Sequence, residues 1–176
     1  PAKLPGLEVV AEGTVWAGTN GGGLNYFKNW KWSVYNTRSG LSNDIVLCTY
    51  IDKENTLWVG TDGGGLNRLK NGKWTHYTTD HGLHDNLIFS ILEDNKGSLW
   101  MSCNRGIFEV SKKDLDDFSV GKIRRIKSAV YTNADGMMSP ECCGRNQPSG
   151  WKTIDGKLLY PTVMGMVVVN PENLKN

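Results

Sequence analysis

The chain has 176 residues, of which 20 are Lys or Arg and 18 are Asp or Glu, so its formal net charge is only +2. This near balance argues against nucleic acid as a partner and against binding to an anionic membrane surface. No run reaches the roughly 18 apolar residues that cross a bilayer, and the first ten residues lack the basic and then apolar layout of a signal peptide. We therefore expect one soluble domain, or a piece of a larger one, without direct membrane contact.

An internal repeat is the dominant feature of the sequence. The segments TVWAGTNGGGLNYF (residues 14–27) and TLWVGTDGGGLNRL (residues 56–69) are identical at 9 of 14 positions without a gap. Trp16, Trp58 and Trp100 follow one another at intervals of 42 residues. The period of the repeat is therefore 42 residues.

Two further copies of the repeat are less complete. The copy at 98–110 keeps one of the three glycines, and the copy at 157–169 has Leu159 in place of the tryptophan. Repeat arrays are often degenerate at their ends, which explains the last copy. The structural repeat positions are the three tryptophans together with Gly23, Gly65, Gly106 and Gly165.

Within one period, the sequence predicts four short strands separated by turns. In the second unit, the polar residues 52–55 predict the first turn and the glycine run 63–65 predicts a tight second turn. Asn71 and Gly72 are typical of a two-residue hairpin, which forms the third turn. The four predicted strands of this unit are 45–51, 56–60, 66–69 and 73–78.

Repeated four-stranded units of about 40–45 residues are the blades of a β-propeller, because a lone meander has two apolar faces that only neighbouring blades cover. The predicted fold is therefore all-β, with four blades of four-stranded antiparallel meanders and a tryptophan between blades. Most rings close with about six to eight blades, so we expect a fragment of a larger ring. A small four-bladed ring and a homodimer that completes the ring are the alternatives. The predicted units are 5–41 with a truncated inner strand, 42–83, 84–137 with an insertion at 111–127, and 138–176, which is the degenerate terminal blade.

The insertion at 111–127 interrupts the third unit. Residues 112–118 carry a short helical pattern, and Arg124 and Arg125 follow it. We expect a solvated outer loop here rather than a partner site.

Three motifs are better explained by structure than by chemistry. The glycine runs lack the Lys-Ser/Thr and the helix that complete a phosphate-binding loop. The turn at 52–55 and its counterpart at 94–97 lack the glutamate that a calcium loop needs. His81 and His84 could reach one metal ion, but no third ligand is evident beyond the adjacent Asp85. We therefore predict no metal and no cofactor.

The four cysteines do not form a disulfide or zinc pattern. Cys48 and Cys103 lie in apolar, strand-like runs, which indicates plain buried thiols. The adjacent Cys142 and Cys143 could each pair elsewhere, and the spacing does not decide whether they do.

The string LWVGTDGGGLNRL, with GLSNDIV before it and KWTHYT after it, resembles the two-component regulator propeller repeat. The resemblance continues at 82–100 and covers nearly the whole chain. It implies the sensor region of a bacterial hybrid two-component or related signalling protein, in a periplasmic or other extracytoplasmic location. It also implies partners within the same protein, namely the remaining blades, a downstream immunoglobulin-like domain and an output domain. The chain shows no kinase or cyclase motif, so that output would lie outside it.

Polar residues gather where the chain passes from the outer edge of one predicted blade to the central channel of the next. Propellers commonly bind ligands at a channel mouth, and a ring of amides and carboxylates suits a small molecule or an oligosaccharide. The alternative is that these residues only stabilise turns before the strands. The candidate ligand-binding residues are Asn43, Asp44, His84, Asp85, Asn86, Glu141, Arg145 and Asn146.

The function predicted from the sequence is a non-catalytic, ligand-sensing propeller segment of a signalling receptor. A propeller scaffold for protein–protein interaction is the first alternative. A carbohydrate-active lyase or hydrolase is the second, although the chain has no Gly-x-Ser-x-Gly motif and no carboxylate pair that the spacing singles out.

Overall fold

The computed structural model describes residues 6–9, 13–144 and 148–174, which form four antiparallel sheets and one α-helix. Sheet 1 contains β1 (Gly6–Val9), β2 (Val15–Gly18), β3 (Leu24–Lys28) and β4 (Lys31–Tyr35). Sheet 2 contains β5 (Val46–Ile51), β6 (Leu57–Thr61), β7 (Leu66–Lys70) and β8 (Lys73–Tyr77). Sheet 3 contains β9 (Ser90–Glu93), β10 (Ser98–Cys103), β11 (Gly106–Ser111) and β12 (Ala129–Tyr131), with helix α1 (Lys112–Ser119) between its last two strands. Sheet 4 contains β13 (Trp151–Lys152), β14 (Leu158–Thr162) and β15 (Gly165–Val169).

Each sheet is a meander in which consecutive strands pair antiparallel, so the predicted propeller fragment is confirmed. The fourth sheet differs from the prediction, because in the described part of the chain it has three strands rather than four. After β15, the Asn170 side chain accepts a hydrogen bond from the Glu172 backbone N–H, and Pro171 has no N–H to offer a sheet. A single 3-10 turn at Pro171–Asn173 therefore follows β15. The exact limits of the four repeat units stay a prediction.

Sheet 2 shows how the sequence specifies the strands and their connections. Strand β5 begins with four buried residues, as its continuous apolar run predicts. Asn71 and Gly72 have φ angles of 52° and 75°, the left-handed pair that a type I′ hairpin requires, so the predicted hairpin is confirmed. In the equivalent hairpin of sheet 1, Trp30 takes the place of the glycine with a φ of 61°.

Neighbouring sheets pack through their faces. Leu24 of sheet 1 belongs to one hydrophobic cluster with Leu57 and Val59 of sheet 2, and similar clusters join sheets 2 to 3 and 3 to 4. The first strands converge, since β1 contacts β5 and β5 contacts β9. One backbone hydrogen bond recurs at all three junctions: the N–H groups of Val46, Ile88 and Cys142 donate to the carbonyls of Thr19, Thr61 and Cys103 at 2.9, 3.1 and 3.2 Å.

The repeat tryptophans of sheets 2 and 3 fill the junctions, as predicted, and are each only 1% exposed. Trp58 Nε1 donates to Asp52 at 3.0 Å, and Trp100 Nε1 donates to Asp94 at 2.9 Å. Each carboxylate also accepts two backbone N–H groups of its own turn, so the prediction of side-chain-stabilised turns is confirmed. Trp16 of sheet 1 differs because it remains partly exposed.

Three of the four repeat glycines occupy places that a side chain cannot share. A Cβ on Gly65 would lie 2.2 Å from the carbonyl oxygen of Tyr77 in the outer strand, and Gly23 and Gly106 have the same relation to their own outer strands. Gly165 has nothing within 4 Å of a Cβ. The reason is that sheet 4 has no described outer strand to supply the carbonyl.

The insertion is not the solvated loop that the sequence predicts. Its helical pattern forms α1, and the side chains of Leu115 and Ile126 are fully buried between sheets 2 and 3. Only parts of the segment are exposed, including Arg124 and Arg125. The prediction is wrong because Leu115 packs against residues that lie far away in the sequence, which local polarity does not reveal.

Cys48 and Cys103 are buried free thiols, as predicted, and burial raises their pKa to about 12 and about 11. Cys142 is also free and buried, and burial raises its pKa to about 12. In the described ranges, no helix combines the length and the apolar character needed to traverse a bilayer.

Candidate functional site

The predicted channel mouth corresponds to the segments where the chain leaves an outer strand and enters the first strand of the next sheet. Two single-turn 3-10 helices, Thr37–Ser39 and Thr79–His81, stand at this point in sheets 1 and 2. The Asp44 carboxylate accepts hydrogen bonds from the Thr37 backbone N–H at 2.7 Å and from the Thr37 hydroxyl at 3.3 Å. Asn86 likewise accepts a hydrogen bond from the Thr79 backbone N–H at 2.9 Å, and its amide donates to the Thr79 hydroxyl at 3.3 Å.

Asn43 and Asp85 stabilise the next step of the chain. Their side-chain oxygens accept hydrogen bonds from the backbone N–H two residues later, at Ile45 and Leu87, over 2.8 and 3.0 Å. The Asn43 amide also donates to the carbonyl of Asp62 at 2.8 Å. These two residues therefore fix the turn that leads into the first strand.

The glycine runs bind the same segment through their backbones. The N–H groups of Gly63 and Gly65 donate to the carbonyl oxygen of Asn86 at 3.1 and 2.8 Å, and Gly21 and Gly23 contact the carbonyl of Asp44 in the same way. These amides are already used, so the structure supports the predicted tight turn rather than a phosphate cradle.

His84, Glu141, Arg145 and Asn146 complete the predicted set. The His84 ring lies 5.4 Å from that of Phe108, and burial lowers the pKa of its imidazole. His81 instead contacts Phe118, with ring centroids 4.8 Å apart. Glu141 is exposed. Arg145 and Asn146 lie outside the described residues.

The structure therefore bears out the turn-stabilising role of Asn43, Asp44, Asp85 and Asn86, while their contact with a ligand stays a prediction. The sequence pattern does not single out Arg105 as a candidate site residue. Its guanidinium is 3.9 Å from the second carboxylate oxygen of Asp85, and its side chain is 69% exposed. The available signal was that Arg105 replaces a glycine of the run found in the two preceding units.

In the described part of the chain, two clefts lie between neighbouring sheets. The first cleft, of about 280 Å³, lies between sheets 1 and 2 and includes Trp16, Tyr26 and Tyr35. The second cleft, of about 350 Å³, lies between sheet 3 and strand β15 of sheet 4 and includes Tyr131, Met137 and Met166. In the described part of the chain, no group of three or more His, Cys, Asp or Glu side chains could hold a metal ion.

Comparisons with known proteins agree with this architecture. The sequence model of the two component regulator propeller matches residues 40–63 and 82–105. No curated protein matches the chain. An extracellular domain ascribed to a hybrid two-component system of B. thetaiotaomicron superposes with a TM-score of 0.78 at 24% identity, over 99% of this chain and 24% of that chain. A second such domain from the same organism gives a TM-score of 0.77 at 20% identity, over 96% and 22% of the two chains.

A more distant match is virginiamycin B lyase from Staphylococcus aureus, with a TM-score of 0.65 at 14% identity over 98% of this chain and 57% of the lyase. Identities this low show a shared fold and no more. The chain spans about a quarter of the length of the two extracellular domains. The chain is thus a β-propeller segment, of which residues 40–63 and 82–105 match the two component regulator propeller.

Proposed function

We propose that this chain is a ligand-sensing, non-catalytic propeller segment of a two-component-type receptor, in a periplasmic location. The observation that carries the proposal is the pair of regulator propeller repeats at 40–63 and 82–105. The shared fold with extracellular domains of two such systems supports an extracytoplasmic position. An immunoglobulin-like domain and a kinase or cyclase output would then belong to the same protein.

The proposed ligand site is the channel mouth beside sheet 3. Arg105 and Asp85 lie 3.9 Å apart there. The exposed Glu141 is proposed for the same site because the next residue, Cys142, donates its N–H to the carbonyl of Cys103, two residues before Arg105. The guanidinium donates hydrogen bonds and the carboxylates accept them, so together they suit the hydroxyl groups of a small molecule or an oligosaccharide.

The proposed mechanism is a shift between two arrangements of neighbouring sheets. Asp85 and Arg105 belong to sheet 3 and its approach, whereas Glu141 leads towards sheet 4. A ligand that touches both sides binds one arrangement more tightly, and it shifts the population by that difference in affinity. The attached output domain would respond to the shift.

Further blades are the proposed partners of the two outer sheet faces. Trp32 of sheet 1 is 63% exposed, whereas Trp74, which follows it by one period, packs edge-on against Tyr35 of the neighbouring sheet at 5.3 Å. On sheet 4, Met166 and Val168 are 63% and 57% exposed. Apolar sheet faces of this kind are covered by neighbouring blades in a propeller, or by a second copy of the chain.

The test uses the intact receptor and measures its signalling response to a panel of mono- and oligosaccharides. Arg105→Ala and Glu141→Ala should each reduce the response at least tenfold without changing the melting temperature. Lys157→Ala, which removes an exposed charge from sheet 4, is the matched control and should leave the response intact. An unchanged response in both mouth variants would remove the channel mouth from the ligand site.

The same variants separate the two alternative functions. A scaffold would show no saturable binding of small ligands, and its partners would instead depend on the exposed faces of sheets 1 and 4. A lyase or hydrolase would turn over a substrate and would lose that turnover when one mouth carboxylate, such as Glu141, is replaced.

A further inference from the structure

The three junctions between sheets provide an internal comparison. Trp58 at the junction of sheets 2 and 3, and Trp100 at the junction of sheets 3 and 4, are each 1% exposed. Trp16, at the same place between sheets 1 and 2, is partly exposed and lines the first cleft. In the described part of the chain, the same tryptophan is therefore fully buried at two junctions and only partly buried at the third.

Helix α1 covers the junction of sheets 2 and 3. Its residue Leu115 is fully buried in one cluster with Trp58, and the Leu115 carbonyl accepts a hydrogen bond from the Tyr77 hydroxyl at 2.9 Å. Three residues later, the Phe118 ring lies 5.5 Å from the ring of Tyr77. The helix thus places two apolar side chains, one turn apart, on the tryptophan and tyrosine of sheet 2.

The junction of sheets 3 and 4 is covered by a different segment. Leu174 packs in the cluster that contains Trp100 and Tyr131. The preceding 3-10 turn is held by the Lys96 side chain, which donates to the carbonyl of Pro171 at 2.7 Å. A short stretch of chain therefore packs in the cluster of the tryptophan here as well, while Tyr131 also lines the second cleft.

At the first cleft, the described residues supply no segment that covers the same surface. Trp16 and Tyr35 stand at the positions of Trp58 and Tyr77, one period earlier. Their rings are 6.2 Å apart, and the Tyr26 ring lies 5.0 Å from that of Trp16. This floor of three aromatic rings opens into a volume of about 280 Å³.

The charges around the cleft differ from those that hold α1. Arg68 forms an ion pair with Asp116 of α1, and Tyr26 stands at the position of Arg68. Glu93 forms an ion pair with Lys112, and Ile51 stands at the position of Glu93. A segment that fits the first cleft therefore needs the apolar side chains of α1 but not its Asp116 or its Lys112.

We propose that the first cleft binds a short helical segment of a partner polypeptide, which presents two apolar side chains three residues apart and is uncharged at the positions of Asp116 and Lys112. The two apolar side chains cover Trp16 and Tyr35, as Leu115 and Phe118 cover the corresponding residues of sheet 2. The site is distinct from the channel mouth and does not depend on the sensing function.

The test selects a displayed library of random 12-residue peptides against the full chain. The selected peptides should share two apolar or aromatic residues at positions i and i+3, with no acidic residue at i+1. Binding of a labelled synthetic copy, followed by fluorescence polarisation, should weaken at least tenfold in Trp16→Ala. The matched control is Trp30→Gly, which removes an exposed tryptophan outside the cleft and should leave binding unchanged.

A second variant tests whether the residue at the position of Arg68 determines which charge the bound segment carries. Tyr26→Arg recreates the charge of Arg68, so this variant should bind a synthetic peptide of residues 111–119, which contains Asp116, at least threefold more tightly than the unmodified chain. Peptide binding that is indifferent to Trp16→Ala, or no selected peptide at all, would overturn the proposal. Saccharide binding that Trp16→Ala removes would also overturn it and would assign the cleft to a carbohydrate. Loss of signalling in the channel-mouth variants is a separate result, because neither mouth residue lines this cleft.

Discussion

Gly65→Ala should destabilise the chain far more than Gly63→Ala, although both glycines lie in one turn. Both have left-handed backbones, with φ angles of 77° and 93°, and both donate a backbone N–H to Asn86. An alanine in the left-handed conformation lowers the free energy of unfolding by about 1–2 kcal/mol. At Gly63 this is the whole expected effect, because a Cβ there would have nothing within 4 Å. At Gly65 the Cβ would also lie 2.2 Å from the Tyr77 carbonyl oxygen, so strand β8 must move.

Such overpacking adds about 1–3 kcal/mol, and the total expected for Gly65→Ala is therefore about 2–5 kcal/mol. The assay is urea unfolding of both variants and the unmodified chain, followed by tryptophan fluorescence, with free energies from linear extrapolation. Equal losses in the two variants would refute the reasoning, because the contact with Tyr77 would then contribute nothing.

Three further predictions concern single groups. Burial alone would raise the pKa of Asp52, but hydrogen bonds from Lys112 and a buried tryptophan outweigh burial and lower that pKa. The carboxylate therefore stabilises the fold above about pH 5, and this contribution falls as the pH drops below about 4. Lys112→Met should move the onset of acid unfolding, followed by circular dichroism, to higher pH. Trp30→Gly should raise the free energy of unfolding by about 1 kcal/mol, because it restores glycine at a left-handed hairpin position, and an unchanged urea midpoint would contradict this. Iodoacetamide at pH 8 should label the partly exposed Cys143 well before the buried Cys48, whose pKa of about 12 keeps it a thiol, and mass spectrometry of the peptides would reveal the opposite order.

The sequence predicts those parts of the fold that depend on local chemistry. The Asn71-Gly72 hairpin and the turns at 52–55 and 94–97 form as expected because the residues that stabilise them lie within a few positions. Contacts between distant segments are not visible in this way. The polar pattern around Leu115 suggests a loop, yet a cleft between two sheets buries that side chain.

The turn-stabilising role of the candidate residues was predictable, whereas a ligand site at a channel mouth stays a prediction. The repeat places Asp44 and Asn86 in the passages between blades, where each stabilises a turn. Their hydrogen bonds to residues seven positions earlier depend on the 3-10 turns, which have no clear periodic signal. The repeat pattern does not single out Arg105, because an alignment of repeats treats a lost glycine as decay of the pattern. Here the replacing residue adds a charge beside Asp85.

One position of the repeat accounts for much of the difference between the junctions. The residue that pairs with the tryptophan across the second and third strands is Tyr26, Arg68 or Glu109 in sheets 1, 2 and 3. Arg68 forms an ion pair with Asp116 of α1. Glu109 instead accepts a hydrogen bond from Tyr131 of its own sheet at 3.4 Å, and the segment at that junction packs through the apolar Leu174. Tyr26 has an aromatic ring and no charge with which a covering segment could form an ion pair. Because the tryptophan and the outer-strand tyrosine stay the same in all three sheets, substitution at this one position can change what covers a junction without disturbing the blades on either side.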